Sequence, residues 1–143
     1  MTINFFESVD DFTLLEKDKI KKWLSRIIKE HGKLVGSISY YFCDDAYILD
    51  VNKRFLNHDT YTDIITFDYV EGNLVSGDIL ISVDRVRDNA SNLNCYFTNE
   101  LHRVIVHGVL HLLGQGDKTE IEAAEMRHKE DYALDILQVI SSE

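Results

Sequence analysis

Two histidines and an aspartate late in the chain have the spacing of metal ligands. His107 and His111 are four residues apart, so on a helix their side chains project from one face, about 5–6 Å apart, and can bind one ion. Gly114 can adopt the left-handed conformation that ends a helix, and Gly116 frees the chain again, so Asp117 can fold back as a third ligand. Three protein ligands and an open fourth position are typical of a catalytic zinc site.

The other four histidines lack this context. An isolated pair of histidines on a buried helix is more often a pair of core side chains, but the glycine and the carboxylate that follow His111 favour a metal site. His102 is five residues before His107, which places it about 140° around the helix, so we predict a structural role for it. We expect His31, His58 and His128 to be surface or capping residues.

Hydrophobic periodicity predicts the elements that position these ligands. Apolar residues at helical spacing predict a helix over residues 16–30, with lysines on its outer face. Strands are predicted over residues 34–42, 64–67 and 79–81, and a turn-rich loop at residues 71–73 joins the last two as a hairpin. Four more helices are predicted. The first is capped by Asp44 or Asp45 and ends at residues 57–59, and the second covers residues 83–93. The third is capped by Thr98 or Asn99 and runs to residue 113, and the fourth begins with a capping box at residues 119–122 and runs to residue 139.

The predicted helix that carries His107 and His111 is apolar nearly all round, so the rest of the fold must enclose it. The order β-α-β-α-β-β-α-α-α then predicts an α+β fold, with a small mixed sheet covered by helices and the histidine helix buried at its centre. We expect one domain over residues 1–143.

Composition excludes several classes of protein. With 143 residues, 45% of them apolar and 28% charged, the chain has the makeup of a globular domain. The longest apolar run, residues 104–113, is interrupted by two histidines and is too short to span a membrane. No export signal is recognisable at residues 1–7, so we expect a cytoplasmic protein.

Cys43 and Cys95 fit no disulfide or metal motif and are predicted to be buried. A net charge of −10 argues against a protein that coats nucleic acid, although a local basic groove remains compatible with it.

The run from His107 to Asp117, HGVLHLLGQGD, resembles the hallmark H-G-x-L-H-L-x-G-Y-D-H of the YbeY family, bacterial metal-dependent endoribonucleases. The resemblance extends to Val51-Asn52 with Phe55, to residues 62–67 and 77–79, and to Met126 with Glu130. It implies an α+β fold, a zinc ion at the three hallmark positions, and RNA as the substrate, with a role in ribosomal RNA maturation and ribosome quality control. No DNA or membrane partner is expected.

Two positions depart from the family pattern. Asp117 stands where the family has a third histidine, so its negative charge should acidify bound water less and make harder cations better tolerated. Leu56 stands where the family usually has an arginine associated with RNA cleavage, and Arg54 is about 200° around the helix from that position. The candidates to bind phosphate instead are Arg85, Arg87, Arg103 and the basic face of the first helix, Lys19, Lys22, Arg26 and Lys29.

Two other functions compete with the nuclease. A metalloprotease shares the ligand spacing, but its motif has a glutamate immediately after the first histidine, where this chain has Gly108. A non-catalytic, metal-stabilised factor that associates with ribosomes is favoured by the acidic balance and by Leu56. In a nuclease the metal would polarise a phosphoryl oxygen and assist attack by water or by the ribose 2′-hydroxyl. Candidates for the general base are Glu100 and Asp78, which could equally be a helix-start acid and a strand-end cap.

Overall fold

Four strands form one mixed sheet in the computed structural model, which describes residues 1–56 and 62–143. The strands are β1 (Thr2–Glu7), β2 (Leu34–Cys43), β3 (Ile64–Asp68) and β4 (Leu74–Ser82), in the spatial order β1-β2-β4-β3. β2 pairs parallel with both β1 and β4, whereas β3 pairs antiparallel with β4 and forms an edge. The predicted hairpin is therefore confirmed, and Gly72 in its loop has a positive φ of 57°.

Five helices in the described residues cover this sheet: α1 (Lys17–Glu30), α2 (Asp45–Phe55), α3 (Val83–Asn92), α4 (Phe97–Leu112) and α5 (Glu120–Ser141). The main core lies between one face of the sheet and α1, α4 and α5. α2 packs on the opposite face over a small apolar cluster of Cys43, Ile48, Val51, Ile65 and Leu80. The predicted α+β class and element order are confirmed. No helix in the part of the chain that the structure describes has the length and apolarity needed to cross a bilayer.

α4 is the central helix, as predicted, and it packs directly against the sheet. The Tyr40 hydroxyl on β2 donates a hydrogen bond to the Ile105 carbonyl at 2.6 Å. A Cβ atom added at Gly108 would meet Ile79 of β4 at 2.9 Å and Ile64 of β3 at 3.2 Å. Cβ atoms in proteins almost never lie this close to other side chains, so a larger residue at position 108 would push the helix away. The glycine therefore allows α4 to approach the strands.

Helix caps and cysteines show where the local predictions hold. Asp44 accepts a hydrogen bond from the Tyr47 amide, and Thr119 forms the predicted capping box with Glu122. The predicted cap of α4 is wrong: the helix begins at Phe97, so Thr98 and Asn99 lie in its first turn. Phe97 packs edge-on against Phe12, and this tertiary contact favours the earlier start.

Cys43 is buried as predicted, whereas Cys95 is exposed. The predicted helix end at residues 57–59, including His58, lies outside the described residues.

Candidate metal centre

His107 and His111 lie one turn apart on the same face of α4, at the end of the helix where the chain turns back. Their imidazole rings are 4.5 Å apart between centroids and nearly perpendicular. Both side chains are partly buried, with 19% and 28% of their surface exposed. The helix geometry alone therefore gives two preorganised nitrogen donors.

A hydrogen-bonded turn after α4 brings the third donor to these rings. Gly114 has a φ of +96°, and its amide bonds the His111 carbonyl while the Gln115 amide bonds the Leu110 carbonyl, both at 3.0 Å. This is the Schellman pattern, which requires a residue that tolerates the left-handed conformation. The buried Gln115 amide group then donates to the carbonyls of Gly116 and Glu122, which ties the turn to α5.

Asp117 faces both imidazoles as a result. Its Oδ2 atom is 3.4 Å from Nε2 of His107 and 3.4 Å from Nε2 of His111, and the three donor atoms lie within 4.8 Å of one another. A tetrahedral ion with ligand bonds of about 2.0–2.1 Å keeps its ligand atoms about 3.3–3.4 Å apart. The distances from the carboxylate to the two imidazoles therefore match those around one tetrahedral divalent ion, and three protein donors leave a fourth coordination position for water or substrate.

Glu130, a buried residue of α5, forms a hydrogen bond with His107 at the ring nitrogen that does not face Asp117. The Nδ1–H of His107 donates a 2.6 Å hydrogen bond to Oε2 of Glu130, so Nε2 keeps its lone pair and faces Asp117. Arg103 donates to the other Glu130 oxygen at 2.9 Å and to Asp131 at 2.7 Å. A carboxylate behind a ligating histidine fixes the ring's tautomer and orientation and raises its basicity.

The pKa directions agree with this chain of contacts. Burial alone would lower the pKa of His107, but the hydrogen bond to Glu130 and the surrounding carboxylates raise it overall. Burial alone would raise the pKa of Glu130, but its bonds to His107 and Arg103 outweigh burial and lower it. These opposite shifts have one cause, the short hydrogen bond between the imidazole and the carboxylate, and they identify Glu130 as the acidic partner of His107 behind the donor set.

Two cavities meet at the three donors. A wide groove of about 670 Å³ is lined by residues of α2 and β3 together with His111, Asp117 and Lys118. A narrower cleft of about 350 Å³ lies on the other side, and its walls include Asp63, Glu100, Arg103, His107, Arg127 and Glu130. Thr62, Ile64, His111 and Asp117 border both cavities. An extended chain lying in the two cavities would therefore pass over the donor set.

Residues 6–138 match the sequence profile of the family described as endoribonuclease YbeY, which is nearly the whole chain. The chain belongs to this family. The YbeY endoribonuclease of Porphyromonas gingivalis is 49% identical over 95% of this chain and 90% of its own length. That of Christiangramia forsetii is 46% identical over 96% of this chain and 95% of its own. The solution structure of TM1509 from Thermotoga maritima shares the fold, with a TM-score of 0.70 and 28% identity over 95% of this chain and 89% of that one.

Only some of the predicted substrate and acid–base residues reach the centre of this YbeY fold. Arg103 and Glu100 line the narrow cleft, and burial followed by the charge of Asp63 raises the pKa of Glu100. Asp78 lies in a separate groove among aromatic residues on the α2 side of the sheet, because alternate residues of β4 face opposite sides. Its neighbour Ile79 points to α4 instead.

The remaining basic candidates are engaged elsewhere. Arg85 is paired with Asp45 and Asp88, and Arg87 with Asp11. Neither arginine lines the wide groove or the narrow cleft. The basic residues of α1 also line neither cavity. Lys19 pairs with Glu16, Lys22 with Glu143 and Arg26 with Glu30. Lys29 lines a separate pocket near the N-terminus.

The other described histidines lie outside the donor group. His102 packs edge-on against Trp23 with a ring separation of 6.1 Å, and burial lowers its pKa. His31 ends α1 and its Nδ1 bonds the Ile27 carbonyl at 2.8 Å, while His128 is exposed on α5. Their predicted structural, capping and surface placements are confirmed.

Position 56, where the YbeY family usually has an arginine, lies on the wall of the wide groove. Leu56 ends α2 and lines that groove with Asn52 and His111. Arg54 instead forms an ion pair with Asp50 one turn earlier. The α2 wall of the groove is therefore apolar and uncharged at this point.

The geometry of α4 disfavours the protease alternative. A protease would need a glutamate at position 108, the residue after His107. That position faces the sheet and not the cavities, and even a methyl group there would collide with Ile79. The chain therefore has neither the glutamate nor the space for it.

Sequence reasoning missed three residues that border the centre. The sequence indicates Glu130 only through the family resemblance, yet this residue is the direct partner of His107. Asp63, whose pKa is raised chiefly by burial, and Lys118 also line the cavities. Glu130 is 23 residues from His107 in sequence, and no local spacing rule joins residues of two different helices.

Proposed function

We propose that the chain is a zinc-dependent endoribonuclease that cuts single-stranded RNA where the two cavities meet. Membership of the YbeY family makes it an endoribonuclease, a hydrolase that acts on phosphodiester bonds. The observation that carries the proposal is the 3.4 Å spacing of Asp117 from both imidazoles, at the border of the wide groove and the narrow cleft. Two nitrogen donors and one carboxylate favour zinc over magnesium or calcium.

Each residue of the centre has a role in this proposal. His107, His111 and Asp117 hold the ion, which would polarise a phosphoryl oxygen of the substrate. Glu130 keeps the Nε2 atom of His107 available to the ion. Arg103, whose guanidinium lies at the cleft, would face the RNA backbone from the α4 side.

Of the two carboxylates predicted as general bases, Glu100 is the one placed to accept a proton from the attacking group. It lines the narrow cleft together with His107, whereas Asp78 lies on the other face of the sheet. An aqueous cleft beside the donors gives Glu100 the access that a general base needs.

Ribosomal RNA, free or within ribosomal particles in the cytoplasm, is the proposed substrate, because maturation of ribosomal RNA is the function of the family. The open cavities suit a flexible single strand better than a rigid duplex.

Metal analysis of the purified protein, combined with cleavage of a single-stranded RNA, tests this proposal. We expect about one zinc ion per chain, as three ligands at one centre imply, and cleavage that a chelator abolishes and zinc restores. A metal-loaded protein that cleaves no RNA, alone or with ribosomes present, would support the non-catalytic factor instead. A 2′-deoxy substitution at the cleaved nucleotide then identifies the nucleophile, because loss of cleavage indicates the 2′-hydroxyl and retention indicates water.

Variants at Asp117 test the third ligand. Asp117→Asn keeps the shape of the side chain and removes its charge, so we expect metal affinity to fall by at least about tenfold. Asp117→His restores the family's usual set of three imidazoles and should retain the ion as well as the unaltered chain or better. Competition with a chromogenic chelator measures all three affinities. Equal retention in the three proteins would show that the third ligand lies elsewhere.

A further inference from the structure

The wide groove has one positively charged side chain among the described residues that line it, and that is Lys118. The opposite wall contributes apolar and neutral side chains at Leu56, Asn52 and Thr66, together with the acidic Asp68. A polyanion that enters a groove of a chain with net charge −10 needs a local cation to offset this field. Among the described residues that line the groove, Lys118 is the group that can supply it.

Lys118 differs from the arginines of the narrow cleft because its charge is not committed to an acid. Arg103 is held by both Glu130 and Asp131, and Arg127 lies 3.6 Å from Glu130. Lys118 has no hydrogen bond or ion pair with any described residue. A phosphate can therefore bind its ammonium group without breaking an existing ion pair.

The backbone of Lys118 is fixed although its side chain is exposed. On one side Asp117 faces the two imidazoles, and on the other Thr119 forms the reciprocal capping box with Glu122. The backbone of Lys118 is thus anchored one residue from a proposed metal ligand, and its side chain lines the wide groove. The flexible side chain can therefore reach a phosphate of a strand that lies in this groove.

We propose that Lys118 binds an RNA phosphate in the wide groove, next to the phosphate that is cut at the metal. This inference rests on the proposed nuclease function and adds the residue that positions the substrate strand on the α2 side. Lys118 is a substrate-binding residue in this account and takes no part in metal binding or proton transfer. Its loss should weaken RNA binding and leave the reaction of bound RNA unchanged.

Single-turnover cleavage by the zinc-loaded chain in excess over a short single-stranded RNA separates these effects. Lys118→Ala should raise the half-saturating protein concentration about tenfold, the loss expected for one charge-assisted hydrogen bond. The slope of log affinity against log salt concentration should become shallower by about 0.7, the value for one phosphate contact on a single strand. The saturated rate and the zinc content should stay unchanged, and Lys118→Arg should restore affinity.

Lys33→Ala is the matched control, because Lys33 is a lysine that lines neither cavity. We expect its affinity and salt slope to equal those of the unaltered chain. An unchanged half-saturating concentration in Lys118→Ala, or a slower saturated rate with unchanged affinity, would overturn the inference. If no variant cleaves RNA, anisotropy of a labelled RNA still measures binding. Weaker RNA binding by Lys118→Ala in that measurement would support the phosphate contact although the nuclease proposal fails. Equal binding by the two proteins would reject both the phosphate contact and the nuclease proposal.

Discussion

Replacing His111 with alanine is expected to abolish metal binding and, with it, RNA cleavage. The variant leaves one imidazole and one carboxylate, and two protein ligands retain a divalent ion poorly. The loss should exceed the roughly 10- to 100-fold that removal of an outer partner of a ligand costs, because a donor itself is gone. His107→Ala should behave in the same way. Metal content after gel filtration and the cleavage rate of a single-stranded RNA are the measurements.

A thermal readout distinguishes loss of the site from loss of the fold. Ligand that binds only the folded chain raises its melting temperature, so added zinc should stabilise the unaltered protein and leave His111→Ala unaffected. His128→Ala is the matched control, since His128 is an exposed histidine on α5, away from the donors. We expect it to keep its ion and its thermal response. Full zinc content in His111→Ala would refute the assigned ligand set.

The donor group was predictable from sequence because its geometry is local. His107 and His111 are separated by one helical turn, and Gly114 is the residue that a Schellman turn needs. Three residues later the chain has only a short distance to cover, so Asp117 returns to the imidazoles. Each step involves neighbours within about three turns of helix, where backbone rules fix positions.

The surroundings of the donors were less predictable because they come from distant parts of the chain. Glu130 reaches His107 from α5, and the cleft is completed by Asp63, which precedes β3. The arginines illustrate the same limit. Arg85 and Arg87 are basic residues on a short helix, and their acidic partners include Asp45 and Asp11, which only the tertiary fold brings close to them.

Element order was predictable for a related reason, since apolar periodicity reports which face of each helix or strand is buried. Boundaries depended on tertiary contacts instead. α4 begins at Phe97 because the aromatic ring packs against Phe12, although the two residues after it are better capping types. Cys95 is exposed because it lies in the connection between α3 and α4, at a position that its residue type did not reveal.

The contact between Glu130 and His107 has the second-largest expected effect on the metal centre. Glu130 is buried, and its two oxygens accept from His107 at 2.6 Å and from Arg103 at 2.9 Å. Without this acceptor the imidazole of His107 can place its proton on either nitrogen, and the tautomer protonated at Nε2 has no lone pair to offer the ion. The ring also loses the bond that holds its orientation.

Glu130→Ala is therefore expected to lower zinc affinity about 10- to 100-fold, and Glu130→Gln, whose carbonyl oxygen still accepts from Nδ1–H, by less. Asp131→Asn is the matched control, because it removes the other negative charge that Arg103 contacts and leaves His107 untouched. Chelator competition gives the affinities, and nitrogen NMR of the metal-free proteins should show Nδ1 of His107 protonated in the unaltered chain and a mixture of tautomers in Glu130→Ala. If Asp131→Asn lost as much affinity as Glu130→Ala, the effect would pass through Arg103, and the assignment of Glu130 as the residue that orients His107 would fail.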